Sequence, residues 1–117
     1  MPTQLLETKV RRVTDGPAVI DLRGEIDGSV DEALNAAYTE AEGYQPSAIL
    51  LNFSGVEYID STGIALIVGL LARARKGGRR LLTCGLSPHY TEIFQITRLS
   101  DFMTIFADEA SALANSK

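Results

Sequence analysis

The chain has 117 residues, 45% hydrophobic and 22% charged, with eleven Lys and Arg against fifteen Asp and Glu. A single Cys and a single His exclude an internal disulfide and a Cys/His zinc site, and the near-average apolar content excludes a disordered chain. A formal net charge of −4 argues against nonspecific nucleic-acid binding, which rests on neutralising phosphates.

A chain of this length fits one domain, taken as 1–117, that buries roughly two thirds of its unfolded surface and needs no staples. The lone Cys84 suits a reducing interior. Met1 to Thr8 carry neither a basic n-region nor an apolar h-region, and no apolar run approaches the ~18 residues of a membrane span. The expected setting is the cytoplasm, with no membrane contact.

In chain order, Leu5 to Val13 is β-compatible, and Thr14-Asp15-Gly16-Pro17 supplies turn chemistry, with Gly16 able to take positive φ. The next run sets Ala18, Ile20 and Leu22 on one face and Val19, Asp21 and Arg23 on the other, as in a strand with one face on the core. A helix is predicted from about Val30 to Glu42, with Val30, Leu34, Ala37, Tyr38 and Ala41 as its apolar stripe. Ser29 and Glu32 have capping-box spacing, and Gly43 stands where a C′ residue belongs. Ala48 to Phe53, opened by Pro46, reads as a strand covered on both faces.

After Ile59-Asp60-Ser61-Thr62-Gly63 a helix is predicted to about Lys76, ended by Gly77-Gly78; Leu81 to Cys84 is another buried strand. Ser87-Pro88 opens a shorter helix with Ile93, Phe94 and Ile96 as apolar positions. Phe102 to Phe106 alternates as a strand, and Asp108 to Ala114 closes as an Ala-rich helix. Strands alternating with helices imply an α/β fold with βαβ units, right-handed crossovers and a mostly parallel sheet, with the opening hairpin as an antiparallel edge.

Asp60-Ser61-Thr62-Gly63 carries the most information. It joins the carboxyl end of a strand to the amino end of a helix, where open α/β sheets place their sites and where orphan N–H groups favour oxygen-rich or anionic groups. One reading makes these residues an N-cap; the other makes Ser61 a hydroxyl held exposed for modification. An aspartic-protease motif is excluded by the extra residue between Asp60 and Gly63, and a nucleophile elbow by Ile59 standing two residues before Ser61. Gly77-Gly78-Arg79 is neither a Walker loop nor a dinucleotide fingerprint. His89 lies in a separate helix start, so Ser61 has no evident base. Catalysis by this chain is not expected, and neither a metal nor a cofactor is implied.

At 100° per residue Ile64, Ile67, Val68 and Leu71 share one face of the helix after Gly63, and Leu66, Gly69, Leu70 and Arg73 gather opposite. The second face is either buried within the domain or a docking surface beside Ser61. Five of the eleven cations fall in Arg73, Arg75, Lys76, Arg79 and Arg80; without interleaved aromatics they read as helix-dipole partners or as contacts for an acidic partner. Gly24-Glu25-Ile26-Asp27 also closes a strand before a helix, which brings Asp27 to the same end of the sheet as Asp60 and Ser61.

The order L-x-G-E-I-D, then A-I-L-L-N-F-S-G-V-E-Y-I-D-S-T-G-I-A-L-I-V-G, then G-G-R-R-L-L-T-C-G-L-S-P resembles the STAS domain of bacterial anti-sigma factor antagonists over about Val19 to Phe106. The resemblance implies a four- to five-stranded mixed sheet with helices packed mainly on one side. It implies that Ser61 is phosphorylated by a cognate anti-sigma factor that is itself a Ser/Thr kinase, that only the unphosphorylated form binds that factor and frees sigma, and that a PPM-type phosphatase restores binding. Asp60 becomes the motif neighbour, Thr62 an adjacent hydroxyl, Gly63 the glycine opening the helix, and Asp27 a polar position near the partner surface; Asn52, where Asp is common in relatives, receives no role. A monomer or weak dimer is expected. The same resemblance accommodates a stressosome-like scaffold, a nucleotide- or anion-binding module, and a free-standing partner of a membrane transport system.

Overall fold

The structure, a computed structural model, describes residues 6–115. Strand β1 (Leu6–Arg12) pairs antiparallel with β2 (Ala18–Ile26) in a register running from Leu6 opposite Gly24 to Arg12 opposite Ala18; the expected start at Leu5 lies outside the described residues. The turn between them differs from expectation. Asp15, not Gly16, takes the left-handed conformation (φ 59°), which Asp tolerates better than most side chains. Gly16 is needed for space, since a Cβ there would lie 3.0 Å from Val13 Cγ1.

Helix α1 spans Asp31–Glu42, but Ser29 and Glu32 form no capping box. Asp27 instead caps a 3-10 turn over Gly28–Val30, accepting hydrogen bonds from Ser29 N and Ser29 Oγ, and α1 follows with no side-chain cap of its own. The 3-10 turn is tighter and satisfies Val30 N through Asp27 O. At the other end Gly43 keeps a helical φ of −60°, and Gln45 takes the left-handed conformation.

Strand β3 (Ala48–Ile59) continues six residues beyond the expected Phe53. Its first half lies between β2 and β4 (Arg80–Cys84), whereas β4 ends with Cys84 opposite Asn52, so Gly55 to Ile59 pair with β2 alone. Ser54, Gly55, Glu57 and Tyr58 are exposed there, so this half lacks the apolar run that marked the first.

Helix α2 (Ser61–Lys76) ends at Gly77 and the left-handed Gly78 (φ 72°). Helix α3 (Pro88–Ile96) begins at Pro88 with Ser87 as its cap; Phe94 is buried, but Ile96 is 72% exposed rather than facing the core. The final strand β5 is only Thr104–Phe106, because a 3-10 turn over Leu99–Asp101 precedes it and leaves Phe102 exposed. Helix α4 is Glu109–Ala114, capped by Asp108.

The sheet order is β1-β2-β3-β4-β5, with every pair after the first parallel. A sheet that grows in one direction through right-handed crossovers must place all its connecting helices on one face. Leu34, Ile67 and Phe94 of the three connecting helices accordingly share one core with Ile20, Ile49 and Leu51. On the reverse face Ala112 of α4 packs on Val19, Leu50, Leu82 and Cys84.

On that reverse face Arg11 Nε and Nη2 donate to the two Asp21 oxygens at 2.6 and 2.9 Å, and Nη2 also reaches Glu109 Oε1 of α4 at 2.7 Å. Asn52 Nδ2 donates to Asp21 Oδ1 at 2.8 Å, and Asn52 Oδ1 accepts from Ser54 N and Oγ. A carboxylate at position 52 would face Asp21 with like charge, so an amide suits this network. Burial pushes the neighbouring Cys84 thiol up to about 11, so it stays protonated and unreactive at neutral pH.

The Arg11 hydrogen bonds, aided by Asn52, hold the Asp21 carboxyl below the usual range. A group depressed by folding contributes stability above its unfolded pKa of ~3.9, and loses it as pH falls through the lower folded value. Asp21→Asn should therefore destabilise the protein at pH 7, and the gap from the parent should narrow toward pH 3. Urea unfolding at the two pH values measures this; a gap that widens in acid would contradict the assignment.

Candidate functional site

The parallel register places Ile26 opposite Ile59, so β2 and β3 end side by side and deliver Asp27 and Asp60 to one edge of the sheet. Asp60 N donates to Ile26 O at 3.2 Å, tying the two loops together. Asp60 is the N-cap of α2 in extended conformation, its Oδ1 accepting from Gly63 N at 2.8 Å. Of the cap candidates, Asp60 thus does the capping. Among the described residues no group hydrogen-bonds the hydroxyl of Ser61, which stands exposed as the first residue of the helix.

Thr62 is also exposed, but its methyl rests on the neighbouring loop: a Cβ on Gly28 would lie 2.9 Å from Thr62 Cγ2. Gly63 is buried, and a Cβ there would lie 2.1 Å from Ile26 O and 2.8 Å from Ile26 C. The backbone of α2 therefore enters in direct contact with the end of β2, which only glycine permits. Asp27 holds the adjacent loop, and its bonds from Ser29 Oγ and then Ser29 N keep its carboxyl ionised to lower pH than usual.

One supporting residue carried no sequence signal beyond an apolar place in a short helix. The buried Tyr90 of α3 accepts a hydrogen bond from Ile59 N at 2.9 Å, which fixes the backbone immediately before Asp60. Tyr90→Phe should leave that N–H unpaired and cost about 1–3 kcal/mol. Urea unfolding checks this; an unchanged midpoint would show that water replaces the hydroxyl without penalty.

The helix faces need correction. The buried side of α2 is Gly63, Ile67, Leu70, Leu71 and Ala74, so Leu70 is a core residue at 1% exposure, whereas Val68 is 44% exposed. Leu66 is partly buried against the core. Gly69 is exposed, and a Cβ there meets nothing within 4 Å. Arg73 turns toward α1: it donates to Glu42 Oε1 at 2.6 Å and Asn35 Oδ1 at 3.1 Å, with its guanidinium 4.5 Å from the Tyr38 ring centre. The solvent face running from Ser61 is thus Ala65, Val68, Gly69 and Ala72.

Because the sheet order never reverses between β2 and β5, no switch-point crevice opens at these strand ends, in contrast to the doubly wound folds that bind cofactors there. The site is an exposed hydroxyl on a helix end beside two carboxylates. It suits recognition and modification by another protein better than enclosure of a substrate.

The model of the STAS domain matches residues 8–112, and the chain belongs to that family. Among curated relatives, the anti-sigma-B factor antagonist of Staphylococcus aureus is 30% identical over 86 residues, covering 74% of this chain and 80% of that protein. An anti-sigma factor antagonist from Mycobacterium paratuberculosis shares the fold with a TM-score of 0.81 at 22% identity, over 95% of this chain and 93% of that one. The Bacillus cell fate determinant SpoIIAA in its phosphorylated form matches with a TM-score of 0.67 at 25% identity, over 90% of this chain and 96% of that one. Among the described residues no helix is long and apolar enough to cross a membrane.

Proposed function

We propose that this chain is an anti-sigma factor antagonist that works by partner switching. In the unmodified state its edge at Asp27, Ser61 and Thr62, with the α2 face of Ala65, Leu66 and Gly69, docks on an anti-sigma factor and frees sigma. The anti-sigma factor is a Ser/Thr kinase that transfers the γ-phosphoryl group of ATP to Ser61 Oγ, releasing ADP and the hydroxyl proton. A PPM-type phosphatase hydrolyses the ester and returns the chain to its binding form. The chain supplies a hydroxyl and a surface, and its partners supply the catalysis.

The observation that carries this reading is the division of labour at the start of α2: Asp60 satisfies the helix end, which leaves the Ser61 hydroxyl exposed and uncommitted. The relatives support it by name, as anti-sigma factor antagonists, and SpoIIAA is known in unphosphorylated and phosphorylated forms. The test titrates a candidate kinase-type anti-sigma factor with the parent chain, Ser61→Ala and Ser61→Asp. Binding within about threefold of the parent by Ser61→Ala, and a loss of at least about tenfold (1.4 kcal/mol) by Ser61→Asp, are expected; equal binding by all three would sink the proposal. A megadalton homo- or hetero-assembly in solution, instead of a monomer or weak dimer, would favour a scaffold.

A further inference from the structure

The basic cluster after Leu71 is not used by the Ser61 site, and the structure divides it. Arg73 and Arg79 both reach Glu42, and Arg79 Nε also donates to Pro46 O at 3.0 Å. Arg75 turns the other way and lies over the Phe102 ring, 5.2 Å from its centre. Phe102, 54% exposed, is the shared wall of two adjoining hollows on the helix-covered side. The first, about 370 Å³, is floored by Val68, Leu71, Ala72, Leu99 and Phe102 and is almost wholly apolar. The second, about 390 Å³, is bordered by Arg75, Arg79 and Arg80, with Asp101 its only acid. An apolar trough opening beside three guanidinium groups, on a chain of net charge −4, runs against the overall charge and needs a matching occupant.

We infer that these two hollows form a second docking surface, distinct from the Ser61 edge, for a helical segment of a partner protein that carries apolar side chains on one face and Asp or Glu in the adjoining turn. The trough would take apolar anchors spaced i, i+4, as in helix-in-groove recognition. The cationic hollow would take the carboxylates that follow, which Arg engages in paired hydrogen bonds. Its concavity suits side chains of a protein segment better than a flat lipid surface. Val68 stands two helical turns from Ser61, roughly 10 Å along the axis, so one partner could cover both surfaces or two partners could share the helix.

The probe is a synthetic peptide of about 16 residues, long enough to form a helix, with Leu at i and i+4 and a run of Glu in the next turn; a control carries Lys in place of Glu. Backbone amide shifts of the isotope-labelled full chain are followed by NMR. The acidic peptide should shift Val68, Ala72, Arg75, Leu99 and Phe102 with a Kd below ~1 mM, and the Lys peptide should bind at least about fivefold more weakly. Phe102→Ser and Arg75→Glu, both at exposed positions, should each weaken binding by about fivefold or more, while Ser61→Asp should leave it unchanged. Equal binding of the two peptides, shifts confined to other residues, or no shifts would overturn the inference. So would shifts at these amides from laurate or anionic phospholipid vesicles without any from the peptide, which would assign the surface to a lipid. Because the Ser61→Asp arm is independent, failure here leaves the partner-switching proposal standing.

Discussion

Replacing Gly63 by alanine should lower the melting temperature by more than ~10 °C, an effect of about 2–4 kcal/mol in a domain of this size. The cause is steric rather than conformational, since Gly63 is not among the residues with positive φ. A Cβ would sit 2.1 Å from the carbonyl oxygen of Ile26, a backbone atom that cannot rotate aside. To relieve the clash α2 must move away from the end of β2. That movement strains the Gly63 N to Asp60 Oδ1 cap and the Asp60 N to Ile26 O bond, and loss of a cap alone costs about 1 kcal/mol. Gly69→Ala on the same helix meets no atom within 4 Å and should be neutral or stabilising by a few tenths to 1 kcal/mol, as a helical glycine-to-alanine change is. Thermal unfolding of the two variants in parallel makes the comparison; a Gly63→Ala protein melting within about 2 °C of the parent would contradict the packing described.

Phosphorylation of Ser61 should weaken partner binding by roughly a hundredfold or more and leave the fold intact. The phosphate brings the formal charge from −4 to about −6 and sets a dianion at the strand ends that already carry Asp27 and Asp60. Within the isolated chain its cost is small, because the amino end of a 16-residue helix favours an anion and the group is fully hydrated. At an interface the hydration is lost. A buried charge without a cationic partner costs several kcal/mol, and each 1.4 kcal/mol is tenfold in affinity. The phosphorylated chain should therefore melt within a few degrees of the unmodified one while failing to bind. Large destabilisation with unchanged affinity would reverse the assignment, making Ser61 a structural position.

Much of this was legible in the sequence because local chemistry and tertiary demand agree. The alternation at Ala18, Ile20 and Leu22, the apolar run Ala48 to Phe53, and Ser87-Pro88 all correspond to elements that the structure contains. That three helices share one face was not readable from periodicity; it follows from a strand order that advances in one direction. The stretch Ser54 to Tyr58 did not announce a strand, because it pairs on one side only and its side chains are largely exposed. The reversal of Val68 and Leu70 shows the limit of helical wheels. On a helix with apolar residues on both sides, the sheet decides which stripe is buried, and here it takes Ile67, Leu70, Leu71 and Ala74.

At the site, the proximity of Asp27 to Asp60 was readable from the βαβ pattern, and the register of Ile26 with Ile59 realises it. The capping box at Ser29 and Glu32 was not realised, because Asp27 accepts the Ser29 hydroxyl and a 3-10 turn intervenes. Tyr90 depends on a contact 31 residues distant in sequence, which no spacing rule reports.

The central claim is that one hydroxyl at the start of α2 is the group a partner modifies. Incubating the chain with candidate kinase-type anti-sigma factors and ATP, then mapping phosphate by mass spectrometry, tests it most directly. Phosphate on Ser61, abolished by Ser61→Ala, is the predicted result; phosphate on Thr62 alone, or none with any of these kinases, would contradict it.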